Sequence, residues 1–218
     1  AFKDYATIIW CFDKMYNDNL FEYALMTDGT AIIHKYIGTA TNLDINNSVK
    51  VNGKTYTIIG VADRVFEGNK IIKSVKLPNT ITSVGSYTFK DCVTLESIVI
   101  PEGVTIIKAY AFEFCENLTN VSLPSTLLKI DDNAFNACYA LTSIVLPNKL
   151  VAIGDYVFSN CNILSSIIIP KSVISIGGSA FGNGSYITVY CEATSKPASW
   201  NSDWLYIANG SVVWGYTK

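Results

Sequence analysis

Leu95-Glu96-Ser97-Ile98-Val99-Ile100-Pro101-Glu102-Gly103-Val104-Thr105-Ile106-Ile107-Lys108-Ala109-Tyr110-Ala111-Phe112-Glu113-Phe114-Cys115 decides the fold, because its apolar skeleton recurs along the chain. The next unit repeats it as Leu118, Val121, Leu123, Pro124, Leu127, Ile130, Ala134, Phe135 and Cys138. Two further units carry Leu141 to Cys161 and Leu164 to Phe181 in the same pattern. One fixed interval separates Pro78, Pro101, Pro124, Pro147 and Pro170, and the same interval separates Phe66, Phe89, Phe112, Phe135, Phe158 and Phe181. The period is about 23 residues, within the range of repeat architectures built from stacked units. Such solenoids work through an extended surface, so binding is expected before catalysis.

Each position has a physical reading. Side chains alternate along an extended segment, so Ile98 and Ile100 point inward while Ser97 and Val99 point outward. Copies stacked at about 4.8 Å form a parallel sheet along one wall. Proline after the strand has no N–H to donate and turns the chain. The Val104-x-x-Ile107 and Ala111-Phe112-x-x-Cys115 pieces return across the coil, and their spacing of three suits short extended or 3₁₀ segments. Like residues stack into columns that only neighbours can bury. Truncating one buried Phe would cost about 3–5 kcal/mol.

This Leu-x-x-Ile-x-Ile-Pro-x-x-Val-x-x-Ile-x-x-x-Ala-Phe-x-x-Cys pattern resembles the BspA-like leucine-rich repeat family over roughly Asn42 to Tyr216. The resemblance implies a curved, right-handed leucine-rich-repeat solenoid. It also implies a secreted or cell-surface life in bacteria and some protists, with roles in adhesion or in binding host extracellular or surface proteins.

The ends depart from the pattern, as terminal repeats must. The reading is one structural domain in three parts: residues 1–55 as an N-terminal cap with hairpins, 56–190 as the solenoid, and 191–218 as a Trp-rich C-terminal cap. Asn52-Gly53 signals a two-residue hairpin turn within Val49 to Tyr56, and Asp28-Gly29 another between Phe21 and Tyr36. Leu43-Asp44-Ile45-Asn46 mimics the strand and corner without proline. Residues 1–19 allow two readings, a helix around Thr7 to Met15 or an edge strand at Ala6 to Phe12. The chain does not begin with Met, which reads as a processed or trimmed product. Near the other end, Ile187-x-Val189 reads as the strand core of Ile167-x-Ile169 returning after a shortened unit.

Composition narrows the function. Half the residues are hydrophobic, 16% are charged and the net charge is −2. Phosphate binding needs a basic face and none is visible, so nucleic acid is not an expected partner. No apolar run is long enough to span a bilayer. Six cysteines suggest disulfides, but Cys92, Cys115, Cys138 and Cys161 fall in one column with parallel side chains. Disulfides need converging Cβ atoms about 3.5–4.5 Å apart, so free buried thiols are expected. Serine in that column would lack a partner. Cys11 and Cys191 lie in opposite terminal regions and should not pair.

No catalytic residue, metal site or cofactor is expected. His34 is the one histidine and reads as a surface residue. A calcium site at Asp131 and Asp132 would need carboxylates stacked in neighbouring turns, and Lys108 and Gly154 stand at the Asp131 position there. These aspartates and Asp63 read as solvated turn residues. An enzyme would need a cleft built by Ala1 to Tyr36.

The expected function is non-catalytic protein binding or adhesion at the cell surface or outside the cell. The candidate face is the outward sheet wall: Ser97, Val99, Asn120, Ser122, Ser143, Val145, Ser166 and Ile168. It lacks the Tyr, Trp and Arg that anchor tight interfaces, while Tyr87, Tyr110, Tyr139 and Tyr156 lie on other faces. The alternative is a carbohydrate-binding module in which Trp200, Trp204 and Trp214 offer ring faces to sugars.

Overall fold

The computed structural model describes residues 12–182, 186–206 and 210–217. The chain winds as a β-solenoid of about eight turns, and among the described residues no helix occurs. The inward columns form one continuous core from Phe21 to Trp204.

Three hydrogen-bonded walls join successive turns. The first holds the predicted strands. Asn42–Asp44, Ser74–Lys76, Ser97–Val99 and Asn120–Ser122 pair in parallel, with Leu43, Val75, Ile98 and Val121 in register. Ser166–Ile169, Thr188–Cys191 and Ser211–Trp214 continue it. The expected sheet is interrupted between these groups: 142–146 keeps the in-out alternation but forms no strand. The core shows the same opening, since the Phe135 and Phe158 rings on either side are 5.7 Å apart, against 5.1 Å for Phe112 and Phe135.

The second wall is a ladder of two-residue parallel strands, Ser83–Val84, Ile106–Ile107, Lys129–Ile130, Ala152–Ile153 and Ser175–Ile176. The third wall has no strands among the described residues, yet its bonding repeats. Tyr110, Phe112 and Phe114 donate their N–H groups to Asp132, Ala134 and Asn136 of the next turn. The intervening Ala111, Glu113 and Cys115 donate back three residues within their own turn. The return segments are therefore extended pieces and tight turns, without 3₁₀ helix. This alternation requires two left-handed residues per turn. One column is Arg64, Tyr87, Tyr110, Asn133, Tyr156 and Ser179, and the other is Gly68, Asp91, Phe114, Ala137 and Asn160, all with φ between 50° and 70°.

Phe66, Phe89, Phe112, Phe135, Phe158 and Phe181 stack nearly parallel through the core, 4.8–5.7 Å apart. Edge-on rings close the stack at both ends, Phe21 against Phe66 and Trp204 against Phe181. Beside it, Cys92, Cys115, Cys138 and Cys161 are buried free thiols. Each donates its S–H to a phenylalanine carbonyl of the preceding turn; Cys138 reaches Phe112 O at 3.3 Å. A serine there would have an acceptor after all, because the backbone supplies what the apolar side chains do not.

Towards the N-terminus lies a five-stranded sheet in the order Phe12–Asn17, Phe21–Met26, Thr30–Tyr36, Lys54–Val61, Ser48–Val51, whose fourth strand runs past residue 55. Both expected hairpins form. Asn52 and Gly53 have φ of 49° and 83°, the doubly left-handed turn that a two-residue hairpin demands. The helix reading fails from Phe12 to Met15, which belong to an edge strand. Residues 1–11, with Cys11 and most of the Ala6 to Phe12 reading, lie outside the described residues. At the other end the register differs from the sequence expectation. Val189 and Cys191, not Ile187 and Val189, pair with Ile167 and Ile169. The step from Ile167 to Val189 falls one position short of the full period, and Val212 and Trp214 extend the wall by one more turn.

Candidate protein-binding face

The outward strand positions fall where alternation placed them. Val99 and Val145 are 52% and 79% exposed, Asn120, Ser122, Ser143 and Ser166 are exposed, and Ser97 and Ile168 are half-buried. Pairing, and the repeat itself at the unpaired 142–146, line these residues into two columns. One is hydroxyl and amide, running through Asn42, Ser74, Ser97, Asn120, Ser143, Ser166, Thr188 and Ser211. Ser74 Oγ donates to Asn42 Oδ1 at 2.7 Å, and the Ser211 and Thr188 hydroxyls bond at 3.1 Å.

The other column changes character along the axis. It begins charged, with Asp44 paired to Lys76 at 3.1 Å, beside Lys73 and Glu96 at 3.0 Å. Past Val99 and Ser122 it becomes Val145, Ile168, Tyr190 and Val213. Tyr216 packs on Tyr190 with ring centres 4.9 Å apart. Tyr190, Val213 and Tyr216 are hidden in the sequence because the period slips by one position before them. The recurrence of Val189-x-Cys191 as Val212-x-Trp214 after one full period was the available signal. A shallow depression of about 360 Å³ lies at the charged end, lined by Asn42, Asp44, Ser74, Lys76, Ser97 and Val99 among others.

The tryptophan platform does not form. Trp200 and Trp204 are only 3% and 4% exposed, and Trp214 packs partly buried against both. Trp200 Nε1 donates to Val173 O at 3.3 Å. Trp214 occupies the inward strand position, opposite Cys191. Their faces are spent on closing the core.

His34 is exposed on its strand. Asp131 pairs with Lys129 at 2.6 Å, while Asp132 and Asp63 accept the N–H groups of Asp155 and Ser86. They are thus inter-turn acceptors rather than merely solvated turn residues. Among the described residues, no group of three or more His, Cys, Asp or Glu is placed to hold a metal. A cavity of about 260 Å³ lies where the N-terminal sheet meets the first turn, lined by Tyr16, Asp18, Tyr23, Asp44 and Lys50 among others. Its best-placed carboxylate, Asp18, already accepts from Tyr23 Oη at 2.8 Å and from the N–H groups of Leu20 and Phe21.

Comparison with known proteins agrees with this architecture. The profile of the BspA type leucine rich repeat region matches residues 57–188 in six copies. The match covers more than half the chain, and the chain belongs to that family. Among solved structures it is similar to a leucine rich repeat protein of T. pallidum, at 28% identity over 81% of this chain and 71% of that one, with a TM-score of 0.55. It is also similar to a leucine rich cell surface protein from Faecalibacterium prausnitzii, at 24% identity over 82% and 70% of the two chains, with a TM-score of 0.46. A search of curated proteins found no significant match. The family suggests a protein-binding or surface repeat function on a typically non-enzymatic scaffold.

Proposed function

We propose that this protein is a non-catalytic adhesion or recognition module that binds another protein through its outward sheet wall. The observation that carries the reading is the neutral stripe of Val145, Ile168, Tyr190 and Val213 beside a ladder of small hydroxyls. An uncharged apolar column with hydrogen-bonding edges suits a protein surface of mixed polarity, and Tyr190 and Tyr216 supply anchors of the type that dominate interfaces. The charged end gives the face a direction. The family supports a place at the cell surface or outside the cell, with a host extracellular or surface protein as the partner. The burial of Trp200 and Trp204 removes the support for a sugar-stacking alternative.

The test is capture of purified extracellular-matrix and serum proteins on the immobilised chain, with a glycan array alongside. The reading predicts saturable protein binding at micromolar concentration or tighter. Binding to glycans alone, or to nothing in either set, overturns it.

A further inference from the structure

We propose that two aspartate–glycine locks, Asp132 with Gly154 and Asp155 with Gly177, clamp successive turns at one corner and thereby open the sheet wall around Val145. At this corner an aspartate accepts the N–H of the equivalent residue one turn on. Asp132 Oδ1 takes Asp155 N at 2.9 Å, and Asp155 Oδ1 takes Gly178 N at 2.6 Å. The residue just before that N–H is then pressed onto the turn above. A methyl group on Gly154 would lie 2.6 Å from the Asp132 nitrogen, and one on Gly177 would lie 2.5 Å from the Asp155 nitrogen. Both would also meet the carboxylate oxygen itself. Glycine is thus demanded by close approach, not by backbone angle.

The other steps act as internal controls. Where the upper residue is Ser86 or Ala109, no carboxylate reaches down, and the positions beneath are Lys108 and Asp131, which carry full side chains. At these two steps the sheet wall is fully bonded, and the core phenylalanines sit 5.2 and 5.1 Å apart. A looser lock joins Asp63 to Gly85, where an added methyl would stand 2.7 Å from the carboxylate but 3.2 Å from the nearest backbone atom. That step too keeps its strands paired, with rings 4.8 Å apart.

Only the two tight locks coincide with the wider ring spacings of 5.7 and 5.5 Å. They also bracket the one turn whose outer segment, 142–146, has no strand partner on either side. Closing one corner of a stiff, packed ring of side chains opens the opposite wall, because interiors this dense do not stretch evenly. Val145 consequently stands further into solvent than any other large apolar side chain among the described residues.

The test is amide hydrogen exchange by NMR on Asp132→Ala and Asp155→Ala, singly and combined. With its acceptor removed, the Asp155 or Gly178 amide should exchange about tenfold faster or more, the usual worth of a hydrogen bond to a charged group. In the combined variant the amides of Ser143, Ile144 and Val145 should slow as strand bonds form. Asp132→Asn keeps an oxygen acceptor without the charge, so it should speed Asp155 exchange less than Asp132→Ala does and leave 143–145 unprotected. Unaltered exchange at Asp155 and Gly178 would remove the locks. Faster exchange there with no protection gained at 143–145 would overturn the link between lock and open wall. Failure of the single variants to fold would also contradict it, since corner bonds should trade against sheet bonds.

Discussion

At the residue scale the thiol column makes the sharpest chemical prediction. Burial pushes the Cys92 and Cys161 thiols up to about 12 and the Cys115 and Cys138 thiols well above the ordinary range. The thiolate is the reactive form, so all four should be inert to a thiol reagent at pH 8 in the folded protein and all four reactive after denaturation without reductant. The same shifts set a pH dependence. An unfolded thiol loses its proton near pH 8.5, whereas the folded one holds it. Stability is therefore intact below about pH 8.5 and falls as pH rises from there towards 12, by up to about 1.4 kcal/mol per unit for each thiol. Urea melts across pH 7–10 check this: Cys138→Ala should flatten the alkaline slope, and an unchanged slope counts against the account.

The left-handed columns give a second residue-scale prediction. Ala137 has φ of 58° in the column that contains Gly68. L-residues pay about 1–2 kcal/mol there, so Ala137→Gly should be neutral or stabilising by up to about 0.5 kcal/mol after glycine's entropic cost. Ala134→Gly, equally buried but outside the left-handed region, should cost about 1 kcal/mol. Equal effects in thermal melts would contradict the turn geometry. Sequence alone did not show this column, because its residues are Asp, Phe, Ala and Asn as well as Gly, with no composition in common.

At the scale of elements, the strand alternation, the proline corners and both hairpins were legible, because each rests on local chemistry: side-chain period, a missing N–H, and an Asn-Gly turn. The third wall was not legible, since its bonds run from backbone to backbone whatever the side chains. The broken rung at 142–146 was hidden for a similar reason, as Ser143, Ile144 and Val145 read like every other strand. The C-terminal register is ambiguous in the sequence because Ile187 and Val189 satisfy the alternation as well as Val189 and Cys191 do. A shift of two residues preserves the face, and only the pairing separates the choices. The caps are predicted to be thermodynamic necessities. Trp204→Ala removes the edge-on ring closing the phenylalanine stack and should cost about 3–5 kcal/mol, comparable to Phe135→Ala in mid-solenoid. A loss under about 1 kcal/mol in denaturant titration would show that the end is closed by something else.

At the scale of the whole molecule, the solenoid is uniform inside and graded outside. The core repeats from Phe66 to Trp204, while the outward sheet column passes from Asp44 and Lys76 to Val145, Ile168, Tyr190 and Val213. A second exposed apolar column, Leu128, Val151 and Ile174, runs along the two-residue strand wall and serves as a built-in control. The candidate face was legible as a list of outward positions, but its gradient and its tyrosine end were not, since both depend on the turn that the slipped period concealed. The most direct measurement is partner affinity of Val145→Asp/Ile168→Asp beside Ile174→Asp, with thermal melts confirming that both remain folded. The first variant should lose affinity at least tenfold, by placing unpaired charge in a neutral contact, and Ile174→Asp should bind like the parent. Equal binding by all three, or a loss confined to Ile174→Asp, would contradict a sheet-wall site.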